Sequence, residues 1–157
     1  MIITYPSEVV PGPPTVTLDK PEGWEVVETP AAQIAVRKLV EPAKFAANVI
    51  VEITTYGLEY DLEVATAALD AAIDELDQVE DIGRTTVNQG GLPAYVREFA
   101  HVDERAGGLV QNTRVIVAKS GTIVTVVQVT GSASANSLEA DLQQVRDIAD
   151  SVTVTNN

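Results

Sequence analysis

A chain of 157 residues, 45% hydrophobic and 21% charged, fits one globular domain able to bury a core without staples. It holds no cysteine, so disulfides, thiolate metal sites and a cysteine-linked lipid anchor are excluded for the chain as given. The net charge of −13, with only ten Lys and Arg, repels nucleic-acid phosphates and anionic membranes and points instead to a protein partner with a basic surface.

The segment Met1–Glu8 has no basic n-region and no small-residue cleavage site, so it does not read as an export signal, and a cytoplasmic location is expected. No apolar run approaches a membrane span, so no membrane insertion is expected. Pro6, Pro11, Pro13 and Pro14 make residues 1–14 an extended arm leading into a strand near 15–19. Pro21 and Gly23 mark a turn into a short strand from Trp24, and Ile34, Val36, Leu39 and Val40 suggest the next, near 33–40. Residues 45–55 are rich in β-branched side chains and read as a strand. Over 61–78 the period changes: Leu62, Ala65, Leu69, Ala72, Ile73 and Leu76 fall on one helical face, with Asp61 as N-cap.

Glycine-bearing turns at 89–92, 105–108 and 120–121 then divide a β-meander, with strands near 83–88, 94–104, 109–119 and 122–130. A second helix is expected over 137–150, with Leu138, Leu142, Val145 and Ala149 inward, followed by a last strand at 151–155. Asn136 and Glu139 have capping-box spacing. The whole reads as one domain over 1–157 with one continuous sheet. Its expected core holds Trp24, Phe45, Leu69, Ile73, Val115, Val126 and Leu142.

Hairpin lengths predict register. A four-residue loop Arg105–Gly108 sets Glu104 opposite Leu109, and a Ser120–Gly121 loop sets Val117 opposite Val124. One sheet face then carries Val96, Ala100, Val102, Leu109, Val115, Val117, Val124 and Val126. The other gathers Tyr95, Arg97, His101, Asn112 and Arg114, a basic patch suited to a carboxylate or phosphate.

A single histidine, His101, leaves little room for nucleophilic catalysis, and the spacing of Glu98, Asp103 and Glu104 gives no support to a carboxylate acid–base pair. The glycine pairs open no helix, so no phosphate cradle forms, and neither a calcium-loop spacing nor a zinc ligand set is present. No cofactor or metal is expected. Every charged residue between Lys44 and Arg84 is acidic, and Asp70, Asp74 and Asp77 line one ridge of the first helix as a docking candidate for a basic partner.

Five features taken together, Pro21-x-Gly23-Trp24, Phe45-x-x-Asn48-Val49-x-Val51, the helix at 61–78, Gly91-x-Pro93-Ala94 and Ile148-Ala149-x-Ser151-Val152, cover nearly the whole chain. In their order and spacing the chain resembles the LpqN/LpqT-like family of actinobacterial proteins, many of them envelope lipoproteins. That family is similar in fold to the PsbP photosystem accessory proteins and the Mog-type Ran-binding proteins. The resemblance implies an α+β, three-layer α/β/α sandwich with an antiparallel-dominated central sheet, and it brings no common catalytic set. The residues agree, because strands 109–119 and 122–130 are apolar on both sides at their centres and need two covers. The expected role is a non-enzymatic accessory or protein-interaction module. The alternative is a small-molecule or lipid-binding protein with a pocket on the mixed sheet face.

Overall fold

Glycines with positive φ fix the chain reversals of this fold. Gly90 and Gly91, at φ 60° and 94°, form a two-residue turn that sets Gln89 opposite Leu92. Gly23, at φ 83°, is the third residue of the Pro21–Trp24 turn, closed by the Trp24 amide on the Pro21 carbonyl. The computed structural model describes residues 1–137 and 139–156, and Leu138, expected to face inward, lies outside the described residues.

The elements run β1 (Thr15–Thr17), β2 (Trp24–Val26), β3 (Ile34–Lys38), β4 (Asn48–Tyr56), α1 (Leu62–Asp74), β5 (Glu80–Gln89), β6 (Leu92–Asp103), β7 (Gly107–Ser120), β8 (Ile123–Ser134), α2 (Glu139–Ser151) and β9 (Thr153–Thr155). Seven strands form an antiparallel sheet in the order β2-β3-β4-β8-β7-β6-β5. The sheet is two meanders joined through β4 and β8, with α1 carrying the chain from central β4 to edge strand β5. One continuous sheet was expected; instead β1 and β9 pair only with each other, as a separate antiparallel ribbon. Val16 and Val154 of the ribbon pack on the α2 side of the main sheet.

The two helices cover opposite faces, giving the α+β three-layer sandwich. Ala65, Leu69 and Ile73 of α1 bury against Tyr95, Phe99, Val115, Val117, Val124 and Val126. Val145, Ile148 and Ala149 of α2 bury against Val49, Val51, Ala94, Ile116, Val127 and Val129. The Asp61 carboxylate accepts the Val64 amide at 2.9 Å, the expected N-cap of α1. That helix ends at Asp74, four residues short of the expected 78, so Leu76 and Asp77 lie beyond it and are exposed. Ala72, expected inward, is exposed too, and Phe45 and Leu142 are half-buried rather than core.

Helix α2 sits unusually close to the sheet. Gly131 of β8 lies beneath Val145, and a Cβ built on it would meet Val145 Cγ1 at 2.2 Å. The glycine serves approach here, not a turn. The helix crosses the face diagonally, from an ion pair between Asp141 and Lys38 of β3 to hydrogen bonds between its last carbonyls and Gln89 of β5. Seven strands at about 4.8 Å spacing are wider than one helix of roughly 10 Å. Part of the β5–β6–β7 surface therefore lies beside α2 rather than under it.

Candidate functional site

The β6–β7 hairpin decides which candidate residues meet, and its loop is three residues long, not four. The Asp103 carboxylate accepts the amides of Arg105 at 2.8 Å and Ala106 at 2.9 Å. Gly107, at φ 77°, closes the turn opposite Asp103, while Gly108 already belongs to the strand. His101 therefore faces Leu109, where Glu104 was expected, a displacement of three residues. An odd displacement exchanges the faces of one strand relative to the other. The β7–β8 loop is Gly121–Thr122, placing Val117 opposite Val126 rather than Val124; that even displacement leaves the faces unchanged.

The expected five-residue patch consequently splits. Tyr95, Arg97 and His101 share the α1 face with Leu109 and Val115, whereas Asn112 and Arg114 share the α2 face with Val96 and Glu98. Arg97 and Arg114 point away from each other through the sheet.

On the α1 side Arg97 is a clasp. Its side chain is 2% exposed, and it donates to Asp70 at 2.9 Å, Asp74 at 3.1 Å and Asp81 at 2.8 Å. Tyr95 also donates to Asp70, at 2.8 Å, and Arg84 pairs with Asp81 at 2.5 Å. Burial alone would pull the Arg97 guanidinium down, but its three carboxylates outweigh this and raise it. Asp81 is held below the usual carboxylate range by hydrogen bonds from Arg97 and then Arg84. Two of the three aspartates expected to form an open docking ridge are thus turned onto Arg97, and Asp77 stands beyond the helix. His101 is buried against Phe99, with ring centroids 5.7 Å apart, and neither of its ring nitrogens has a hydrogen-bond partner among the described residues.

On the α2 side lies a polar cavity of about 430 Å³. Arg114, with its side chain 4% exposed, donates from Nη1 to Gln89 Oε1 at 2.9 Å and from Nη2 to Asn112 Oδ1 at 3.0 Å, and its Nη1 stands in an ion pair with Asp150 Oδ1 at 2.9 Å. Its Nε has no partner among the described residues. Asn112 donates onward to Glu98 at 2.9 Å, and Arg146 of α2 grips both Glu98 oxygens. The Arg146 hydrogen bond, opposed by burial and helped by Asn112, lowers the Glu98 carboxyl. Gln89 also donates to the Ala149 and Val152 carbonyls, each at 3.0 Å, which ties off the end of α2. Sequence reasoning found Asn112 and Arg114 but missed Gln89, Glu98's pairing, Arg146 and Asp150. From the sequence Gln89 reads as part of the 89–92 turn rather than as a strand residue facing α2.

A profile of the family described as "Probable lipoprotein LpqN" matches residues 7–155. The chain belongs to the LpqN family. Among solved structures it is similar to Mycobacterium tuberculosis LpqN, a protein involved in cell envelope biogenesis, with a TM-score of 0.79 and 17% identity over 92% of this chain and 86% of that one. It shares the fold of cyanobacterial PsbP from Synechocystis sp. PCC 6803, with a TM-score of 0.55 and 17% identity over 90% and 92% of the two chains. The Saccharomyces cerevisiae Ran-binding protein Mog1p gives a TM-score of 0.54 and 14% identity over 90% of each chain. No curated protein matches the sequence. The fold expectation drawn from the LpqN-like motifs is met. Among the described residues, no helix is long and apolar enough to cross a membrane, and no group of metal-ligating side chains gathers.

Proposed function

We propose that this LpqN-family chain is a non-catalytic accessory module that docks a protein partner with a basic surface, at the corner where α1 gives way to β5. The observation that carries this reading is a mixed apolar and acidic surface. Leu76, Ile82 and Val102 are exposed at this corner, and Glu75, Asp77 and Glu80 stand exposed among them. The backbone brings these residues together: the Val102 amide donates to the Asp77 carbonyl at 3.1 Å, and Glu80 pairs with Ala100. None of the three carboxylates joins an ion pair among the described residues, whereas Asp70, Asp74 and Asp81 are engaged by arginine. Exposed apolar side chains rimmed by unpaired charge are the common anatomy of a protein interface. The docking charge thus sits at the helix end rather than along its ridge. The shared fold of a Ran-binding protein is in keeping with a docking role.

The test is crosslinking in cells, with partners recovered from both envelope and cytosolic fractions, for the wild type and the triple reversal Glu75→Lys, Asp77→Lys, Glu80→Lys. Exposed charges are screened over roughly 8–10 Å at ordinary ionic strength. Recovery is therefore expected to fall about tenfold in the reversed variant, and wild-type binding to weaken steeply with added salt. Equal recovery from both proteins, or binding indifferent to salt, rejects the docking corner.

A further inference from the structure

From the cavity beside α2, we propose a second site: a binding site for a small aliphatic carboxylate, which takes the place of Asp150 on Arg114. It stands independently of the docking reading, on the α2 side of the sheet. Arg114 is buried at the cavity wall and its Nε, itself shielded from solvent, lacks a partner among the described residues, so a carboxylate would meet the guanidinium at Nη1, where Asp150 now sits. Gln89 and Asn112 hold that guanidinium in place, and each is itself anchored, Gln89 on the α2 carbonyls and Asn112 on Glu98.

Asp150 is the replaceable member. Its side chain is 67% exposed although it reaches Arg114 at 2.9 Å, so water solvates its carboxylate once it swings away. Asp150 offers a single methylene to the cavity. A ligand with a short branched body also covers Val87 and Val96, which line the same space. The volume of about 430 Å³ lies within the roughly 300–1,000 Å³ usual for small-molecule sites.

Charge selects the ligand class. Arg114, Arg146, Glu98 and Asp150 sum to zero, and exchanging one carboxylate for another keeps that balance. A phosphate dianion would add negative charge beside Glu98 and the carbonyl end of α2, in a chain already at −13.

The experiment titrates the full chain with 3-methylbutanoate, and separately with inorganic phosphate at matched ionic strength, while amide resonances are followed by NMR. Saturable shifts are expected for the carboxylate at Val87, Gln89, Asn112, Arg114 and Asp150, with no saturable response to phosphate. Asp150→Asn removes the competitor and should tighten carboxylate binding about threefold, the scale of a largely exposed ion pair. Arg114→Lys lacks the planar fork and should weaken binding on the order of tenfold or more. If Arg114→Lys loses the dispersed spectrum of the folded chain, Asp150→Asn alone decides, since that residue is exposed. No saturable shift in wild type or Asp150→Asn up to about 50 mM ligand, a very weak affinity, overturns the proposal. So does tighter binding of phosphate, or an Asp150→Asn affinity equal to or weaker than wild type.

Discussion

Replacing Arg97 with methionine is expected to destabilise the fold by about 2–4 kcal/mol at neutral pH, the scale of removing one member of a buried charged network. Methionine keeps an apolar stem but removes the guanidinium that lies over Phe99, and leaves Asp70, Asp74 and Asp81 facing one another without their common cation. The loss should depend on acidity with a definite sign. Asp81 has its folded value lowered, by Arg97 first and Arg84 second. Its contribution is fully present above the ordinary aspartate value near 3.9, and is lost as pH falls through the lowered folded value. The gap between wild type and Arg97→Met should therefore narrow markedly between pH 7 and about pH 2. Urea unfolding of both proteins at the two pH values measures it. A gap of the same size at both, or none at pH 7, would show that Arg97 does not hold α1 to the sheet through its carboxylates.

Gly131→Ala should cost about 1–3 kcal/mol, a large effect for one added methyl group. The new Cβ would stand 2.2 Å from Val145 Cγ1 and 3.5 Å from the Asn112 carbonyl. The Asn112 carbonyl is at ordinary contact distance, so the clash falls on Val145, which is fully buried and cannot yield easily. The helix must lift instead, exposing Ile148 and Ala149. Val145→Ala alone opens a cavity, but combined with Gly131→Ala it removes the clash. The two losses should fall short of adding, by on the order of 1 kcal/mol or more. Chemical denaturation of the two single variants and the double variant checks this, and strict additivity would show that the helix does not rest on Gly131.

These two features differ in how far the sequence announces them. Local periodicity was sufficient for both helices, for the meander strands and for the Gly90–Gly91 turn, since each depends on neighbours within a few residues. The pairing of Arg97 with Asp70, Asp74 and Asp81 was not legible, because Asp81 reaches it across the β5–β6 ladder and Asp70 and Asp74 only through the packing of α1 on the sheet. Gly131 has no turn around it and no positive φ, so its role appears only once Val145 is placed above it. The register error at β6–β7 has a sharper cause. Gly107 and Gly108 read equally well as two turn residues, yet the Asp103 carboxylate folds the turn early and leaves Gly108 in the strand. That single ambiguity turned β6 over relative to β7 in the sequence reading and joined Arg97 to Arg114 on a face they do not share. Both strands of the ribbon were expected, near 15–19 and at 151–155, but their pairing with each other was not legible, because three residues per strand carry no usable period.

That ribbon also governs how the chain responds to mechanical load. Thr15 sits opposite Thr155, and Thr17 opposite Thr153, where the two threonine hydroxyls are hydrogen-bonded. Force applied at the two chain ends therefore enters at the outermost pair and opens the ladder like a zipper, one rung after another, instead of shearing all rungs together. Tension would pull on the strands of the seven-stranded sheet themselves only after Thr17 and Thr153 part, Val16 and Val154 leaving the sheet face as their own rung opens. Until then the ribbon acts as a compliant fuse, yielding first and sparing both the docking corner and the cavity beside α2.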